Sequence, residues 1–449
     1  MPGPRQGNRR ADRDNDFSRP KLEKRTRQPA KQADRKPSAT QQQAPTADEN
    51  PSPIDLSTPI PLSLQQLLLD VFKTALLTEQ SQPISGVDGP AESETESQDQ
   101  DQNSAPLDIK TLIQTIKSHL YQRDFDSAFT EAGEDLLRAY ALRWSASRAL
   151  GYAGLFKGVL SWMHGSGPAD ADIKPICNLE QLSRTRTVCL GGGAGAEIVA
   201  LAAAWRDMEF GIDSLSQRAA DIALEEGEDE KEEKQKTDDV ASSVSSKHLS
   251  IAAVDIGNWS SVVERLSRTI VSNDVPFPST SRHKPPLIAR REDLDISFQR
   301  EDLLILSEEK LKTLLLGDDV GSSSSALLVT LMFTLNELFS TSMPKTTGFL
   351  LKLTEILPRG SVLLVVDSPG SYSTLKLKGK VDGEPQEKKY PMKFLLDHTF
   401  TSVAKGKWER VFTQDSKWWR RDAARLRYEV GEGAGLEDMR FQVHIYQRI

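Results

Sequence analysis

The sequence predicts an α/β fold, a mostly parallel sheet ending in a C-terminal antiparallel hairpin, preceded by a helical module and a disordered N-terminal arm. Three observations carry that expectation. From Thr187 onward, short apolar runs alternate with helical segments, the pattern of parallel strands covered on both faces. The stretch VCLGGGAGAE (188–197) sets four glycines between such a run and a helix. At the C-terminus RLRYEV and MRFQVHIYQRI, separated by the Gly-rich EGAG, alternate apolar and polar residues as hairpin strands do.

Residues 1–58 are rich in Arg, Gln, Pro and Asp and lack apolar periodicity, so they are expected to form a disordered basic arm. Its first 36 residues carry twelve Lys/Arg against five Asp/Glu, a local excess suited to RNA contact or nuclear import. Residues 59–78 hold an amphipathic helix in which Leu64, Leu67, Leu68, Val71, Phe72 and Ala75 share a face, and that face needs a partner surface. An acidic linker follows over 79–105. The helical module over 106–175 shows one stripe at Leu112, Ile113, Ile116 and Leu120 and a second at Leu136, Leu137, Tyr140 and Trp144.

The sheet domain is expected over 176–449, with a low-complexity insertion at about 225–247 (EEGEDEKEEKQKTDD into SSVSS). Its strands are RTVCL, LSIAAVDIG, the start of LDISFQREDLL, SALLVTLMF and SVLLVVDSPG, with helices at EIVALAAAW, from Trp259 to Ile270, and up to Leu357. Asp382-Gly383, flanked by Lys376, Lys378, Lys380, Lys388 and Lys389, marks a further hairpin turn.

Bulk properties narrow the function. The formal net charge of −8 argues against a protein that coats nucleic acid indiscriminately. Two cysteines, Cys177 and Cys189, supply neither a disulfide framework nor a zinc cluster, so no metal is expected. No apolar run reaches the roughly 18 residues needed to span a bilayer, and there is no signal-peptide pattern. A soluble intracellular protein, neither secreted nor membrane-bound, is the expectation.

Four glycines after a strand let the backbone approach a ligand, and the helix that follows offers unpaired N–H groups. Gly191, Gly193 and Ala196 satisfy the G-x-G-x-x-G/A dinucleotide fingerprint of a Rossmann-like fold. Gly191, Gly193 and Gly195 also satisfy G-x-G-x-G, the commoner form in enzymes that bind S-adenosyl-L-methionine. A plain tight turn explains them too. Asp255, ending the second strand, stands where a ribose-binding acid belongs once the insertion is set aside. Asp302, after the third strand, stands where methyltransferases commonly hold the adenine amino group. A dinucleotide enzyme would want its acid about 20 residues downstream of the turn, at Asp213, in a segment without strand character.

With these pieces in order, the chain resembles the fungal 25S rRNA (uridine-N3)-methyltransferase family, a branch of the class I S-adenosyl-L-methionine-dependent methyltransferases. The resemblance rests on YALRWSASRAL (140–150), VCLGGGAGAEIVAL (188–201), AAVDIGNW (252–259) and MFTLNELFS (332–340), and covers the chain from about Pro106 to its end. It implies methyl transfer to N3 of a uridine in large-subunit ribosomal RNA, free or in a pre-ribosome, by a monomer of the nucleus, nucleolus and cytoplasm. One departure stands out: the acid usual two positions before the first motif glycine is Cys189 here.

Such a reaction needs a base flipped out or single-stranded, because N3 lies on the pairing edge, and it needs a group to take the N3 proton. Asn336 and Glu337, after the fourth strand, are placed to hold the uracil edge and accept that proton. Thr334 and Glu337 equally match a T-x-x-E helix cap. Arg143, Trp144 and Arg148 of RWSASR suit phosphate contact and base stacking, and KWWRRDAARLR (417–427) has the same character. Two other readings remain open at this level: an NAD-dependent oxidoreductase, and a non-catalytic methyltransferase-like protein that docks on ribosomal RNA or an assembly partner through the 62–77 helix.

Overall fold

The computed structural model describes residues 54–77, 107–165, 184–209, 248–317, 325–370, 372–377 and 386–449. The arm before Ile54, the acidic linker, the insertion and Cys177 lie outside the described residues.

Seven strands form one sheet in the order β3-β2-β1-β4-β5-β9-β8. In chain order they are β1 (Arg184–Leu190), β2 (His248–Asp255), β3 (Leu294–Arg300), β4 (Ser325–Met332), β5 (Val362–Asp367), β8 (Trp408–Trp419) and β9 (Met439–Arg448). The first five are mutually parallel. β9 runs antiparallel to both β5 and β8. Strands β6 (Tyr372–Leu377) and β7 (Gln386–Pro391) form a separate antiparallel pair, and the turn expected at Asp382-Gly383 lies outside the described residues. The chain crosses over between β1 and β4, so ligand-binding loops gather at the carboxyl ends of the parallel strands.

Strand residues alternate between two apolar layers because successive side chains point to opposite faces. Val188 and Leu190 enter one layer with α7 (Glu308–Leu316) and α8 (Leu335–Ile356). Cys189 enters the other, with α1 (Leu62–Leu77), α4 (Ala146–Met163), α5 (196–209) and α6 (Ser260–Ile270). The module before the sheet consists of α2 (Ile109–Gln122), α3 (Glu134–Tyr140) and α4. α3 passes into α4 through a single π turn at Ala141–Ser145, so one helical rod runs from Glu134 to Met163. A short helix α9 (Met392–Asp397) follows β7. Among the described residues no helix is long and apolar enough to cross a membrane.

Three expectations are corrected. RLRYEV is not a strand; the partner of β9 is β8, and the 420–438 connection packs on the helical module instead. There Leu426 and Val430 are buried, and the Tyr428 hydroxyl donates to the Leu142 carbonyl at 2.8 Å. β8 escaped notice because it is an edge strand whose charged residues protect an open edge, which blurs its alternation. The arm ends earlier than residue 58: Ile54 and Leu56 are buried, and a Cβ on Gly158 of α4 would lie 2.2 Å from the Asp55 carbonyl oxygen. Finally, the 62–77 helix is no tethered docking element. Its apolar side is buried against α4, α6 and the π turn, so its partner surface is its own domain.

That burial has a measurable consequence. Phe72 is fully buried in the layer shared with α4 and α6. Phe72→Ala should cost about 3–5 kcal/mol in urea unfolding. A loss below ~1 kcal/mol, within the range of a surface substitution, would mean that the helix is detachable after all.

Candidate active site

The turn from β1 to α5 is closed by packing on every side. Gly191 and Gly195 have φ of +86° and +83°, values that L side chains rarely adopt. Space is also tight. A Cβ on Gly191 would lie 2.2 Å from Thr334 Oγ1, on Gly193 2.3 Å from Trp259 Cδ1, and on Gly195 2.2 Å from Leu266 Cδ1. Gly193 is packed against Trp259 and Asp255 and Gly195 against the tip of Leu266, while Gly191 is the motif glycine that lines the neighbouring cavity.

That cavity, about 650 Å³, opens at the carboxyl ends of β1 to β4. Asp255 lines it. Its two carboxylate oxygens accept backbone N–H groups from Gly193 (3.2 Å) and Gly257 (3.0 Å), leaving lone pairs for a ligand hydroxyl. Burial pushes its pKa up, against those hydrogen bonds. Asp302 also lines the cavity; one oxygen accepts from Leu304 N at 2.9 Å, and its turn role coexists with a face toward the cleft.

Glu337 lines the cavity, is exposed, and makes no hydrogen bond or ion pair among the described residues. The helix-cap alternative is not what is found. Thr334 Oγ1 donates to the Met332 carbonyl, and the start of α8 is instead held by Asp367 from β5, which accepts from Asn336 N at 2.9 Å. Burial raises the Asp367 pKa to about 6. Asn336 is not among the cavity-lining residues, and its side-chain oxygen is buried without a partner, a correction to its expected role on the uracil edge.

The RWSASR residues separate. Arg143 is buried and ion-paired with Glu437, and it does not line the cavity. Trp144 is half-buried with its ring 5.0 Å from that of Tyr140. Arg148 alone reaches the cavity. In KWWRR, Trp419 packs against the core, whereas Trp418 is 50% exposed with Arg420 and Arg440 over its ring.

Two site residues were not anticipated. Phe333, directly after β4, has φ +58°, a rare backbone state for an aromatic residue, and lines the cavity. Glu197, the second residue of α5, is buried beneath the glycine turn. Its carboxyl meets Thr330 Oγ1 and the Cys189 thiol, and a Cβ on Gly192 would lie 2.6 Å from its Oε2. A carboxyl thus lies beside Cys189, carried by the helix and not by β1, although it does not line the cavity. Its sequence signal was a lone acid inside the otherwise apolar EIVALAAAW.

Six carboxylates line the cavity (Asp124, Asp126, Asp255, Glu301, Asp302 and Glu337) against two guanidinium groups, Arg123 and Arg148. A pyrophosphate would meet net repulsion there, whereas a sulfonium and an ammonium would be attracted. Residues 92–447 match the family Methyltransf_34, described as SAM-dependent methyltransferases. The chain belongs to that family. The methyltransferase is also 30% identical over 352 residues to the 25S rRNA (uridine(2843)-N(3))-methyltransferase of Saccharomyces cerevisiae, covering 77% of this chain and 80% of that one. Among solved structures, a SAM-dependent methyltransferase of Methanosarcina mazei matches with TM-score 0.28 and 11% identity, covering 59% of this chain and 92% of the other. The N-methyltransferase NodS of Bradyrhizobium japonicum, bound to S-adenosyl-L-homocysteine, matches with TM-score 0.24 and 10% identity over 59% and 78%. Membership of the SAM-dependent family makes S-adenosyl-L-methionine the cofactor, and the oxidoreductase alternative falls away.

The buried acid beneath the turn sets a pH dependence. Burial raises the Glu197 pKa from 4.5 to about 8, so the folded protein keeps a proton that the unfolded chain has lost across that window. Folding there takes up a proton, and stability falls as pH rises from the lower value to the upper. Glu197→Gln, permanently neutral, should gain Tm relative to the parent as pH rises from about 5 to about 8. Thermal unfolding curves that stay parallel over this range would contradict the assignment.

Proposed function

We propose that the methyltransferase transfers a methyl group to N3 of a uridine in large-subunit ribosomal RNA. The observation that carries this is the 30% identity, over 77% of the chain, to the yeast enzyme whose name states that reaction. In this reading the protein works in the nucleus, nucleolus or cytoplasm, wherever the large subunit or its precursor presents the uridine.

When bound, S-adenosyl-L-methionine supplies an electrophilic methyl group. The residues present fit it: Asp255 has acceptor capacity for ribose hydroxyls, Asp302 for the adenine amino group, and Gly191 lets backbone approach. Glu337 accepts the N3 proton, since the neutral imide nitrogen is a poor nucleophile. Its freedom from the α8 cap leaves the carboxylate available at the cavity rim. The target base must leave any duplex to enter. Trp418, with Arg420 and Arg440 at 4.8 and 5.8 Å from its ring centre, offers a flanking base a stacking surface.

The test uses ribosomal RNA from cells lacking the protein, labelled S-adenosyl-L-methionine and the full chain, with nucleoside mass spectrometry of the product. The expected result is one new N3-methyluridine per large-subunit RNA, with Glu337→Gln slowed about 10²–10⁴-fold in single-turnover rate. Label on another base or atom would overturn the acceptor. No transfer to RNA or to isolated large subunits would overturn the ribosomal RNA substrate.

A further inference from the structure

Of the two cations that line the cavity, Arg123 is exposed, whereas Arg148 is half-buried, makes no ion pair among the described residues, and has the Asp367 carboxyl near enough to act on its charge. Its Nη1 donates to the Tyr140 hydroxyl at 3.1 Å, and its guanidinium lies 4.9 Å from the centre of the Phe333 ring. No carboxylate lies within ion-pair distance of it among the described residues. The two preceding arginines of the same rod are committed elsewhere: Arg138 donates to the Leu76 carbonyl, and Arg143 pairs with Glu437.

The π turn explains the difference. In a regular α-helix, residues eight apart are rotated by about 80° from one another. One extra residue in a π turn brings such a pair to about 20°, the relation of residues seven apart. The turn at Ala141–Ser145 lies between Tyr140 and Arg148, so both reach the cavity face and touch. Aromatic rings then hold the guanidinium: Phe333 lies beneath it, with the Tyr152 ring stacked 6.3 Å from Phe333. A planar fork with donors left over, fixed in a partly dry cavity, is built for a bidentate carboxylate or phosphate oxygen pair.

We infer that Arg148 binds the methionine carboxylate of S-adenosyl-L-methionine, and not an RNA phosphate. Strand order supports the choice. Asp302 and Asp255 follow β3 and β2, whereas the Phe333 ring under Arg148 follows β4, on the other side of β1. A cofactor with its nucleoside over β3 and β2 has its amino-acid end on the β1–β4 side. The other charged residues of the lining are mostly acidic, which suits the ammonium and sulfonium, and the remaining cation there, Arg123, is exposed, so a carboxylate buried in the cleft has this guanidinium as its partner. The inference rests on the family's cofactor and not on the choice of RNA acceptor.

Calorimetry of the full chain tests it without turnover. The probes are S-adenosyl-L-homocysteine, its decarboxylated analogue, and 5′-methylthioadenosine, which lacks the amino-acid arm. The unmodified protein should bind S-adenosyl-L-homocysteine about 10- to 100-fold more tightly than the decarboxylated analogue. Arg148→Met should collapse that ratio to within about twofold while leaving methylthioadenosine affinity unchanged, and Arg148→Lys should restore part of it. Methylthioadenosine binding also reports that the variant is folded. A ratio near one in the unmodified protein overturns the proposal whether or not the variants fold. So does an unchanged ratio in Arg148→Met, or an equal weakening of all three ligands. Loss of RNA binding with an unchanged ratio would return Arg148 to a phosphate role.

Discussion

The turn between β1 and α5 has no room for a Cβ at its motif glycines, and the active-site region is arranged around that closeness. Gly193 lies against Trp259 and Asp255, Gly195 against Leu266, Gly191 against Thr334. Because the turn touches β2, α6 and the β4–α8 junction at once, it sets where their residues stand relative to one another. The Gly193 N–H then orients the Asp255 carboxylate. A larger residue at any of these positions would displace a packed side chain and not merely occupy a ligand's space.

Electrostatics follows from the same closeness. Three carboxyls, Glu197, Asp255 and Asp367, sit at the turn, at the β2 end and at the β5 end, and burial raises the pKa of each. Backbone N–H groups from Gly193, Gly257, Asn336 and Ser368 offset part of that desolvation for the two aspartates. The charged residues of the cavity lining are mainly carboxylates, with two guanidinium groups. A cationic ligand there meets attraction from these carboxylates, and burial strengthens it.

Much of the sheet was legible because β1, β2, β4 and β5 are buried apolar runs separated by helical periods. Asp255 was legible as well, once the charged block between β1 and β2 was treated as an insertion. What stayed hidden has physical causes. β8 is an edge strand and polar for that reason; RLRYEV alternates because it packs on helices, not because it pairs. The cap of α8 comes from Asp367, remote in sequence, so the local T-x-x-E match misleads. A π turn inserts one residue into a helical period, and no periodicity count shows that Arg143 faces Glu437 while Arg148 faces the cavity. Phe333 gave no signal, since a left-handed φ on an aromatic residue is imposed by its surroundings.

A crystal structure of the full chain bound to S-adenosyl-L-homocysteine tests the account most directly. The ligand should lie across the carboxyl ends of β3, β2 and β1, its ribose hydroxyls on Asp255 and its amino-acid end toward Phe333. A ligand bound elsewhere, or one in this cavity whose ribose makes no contact with Asp255, would contradict it.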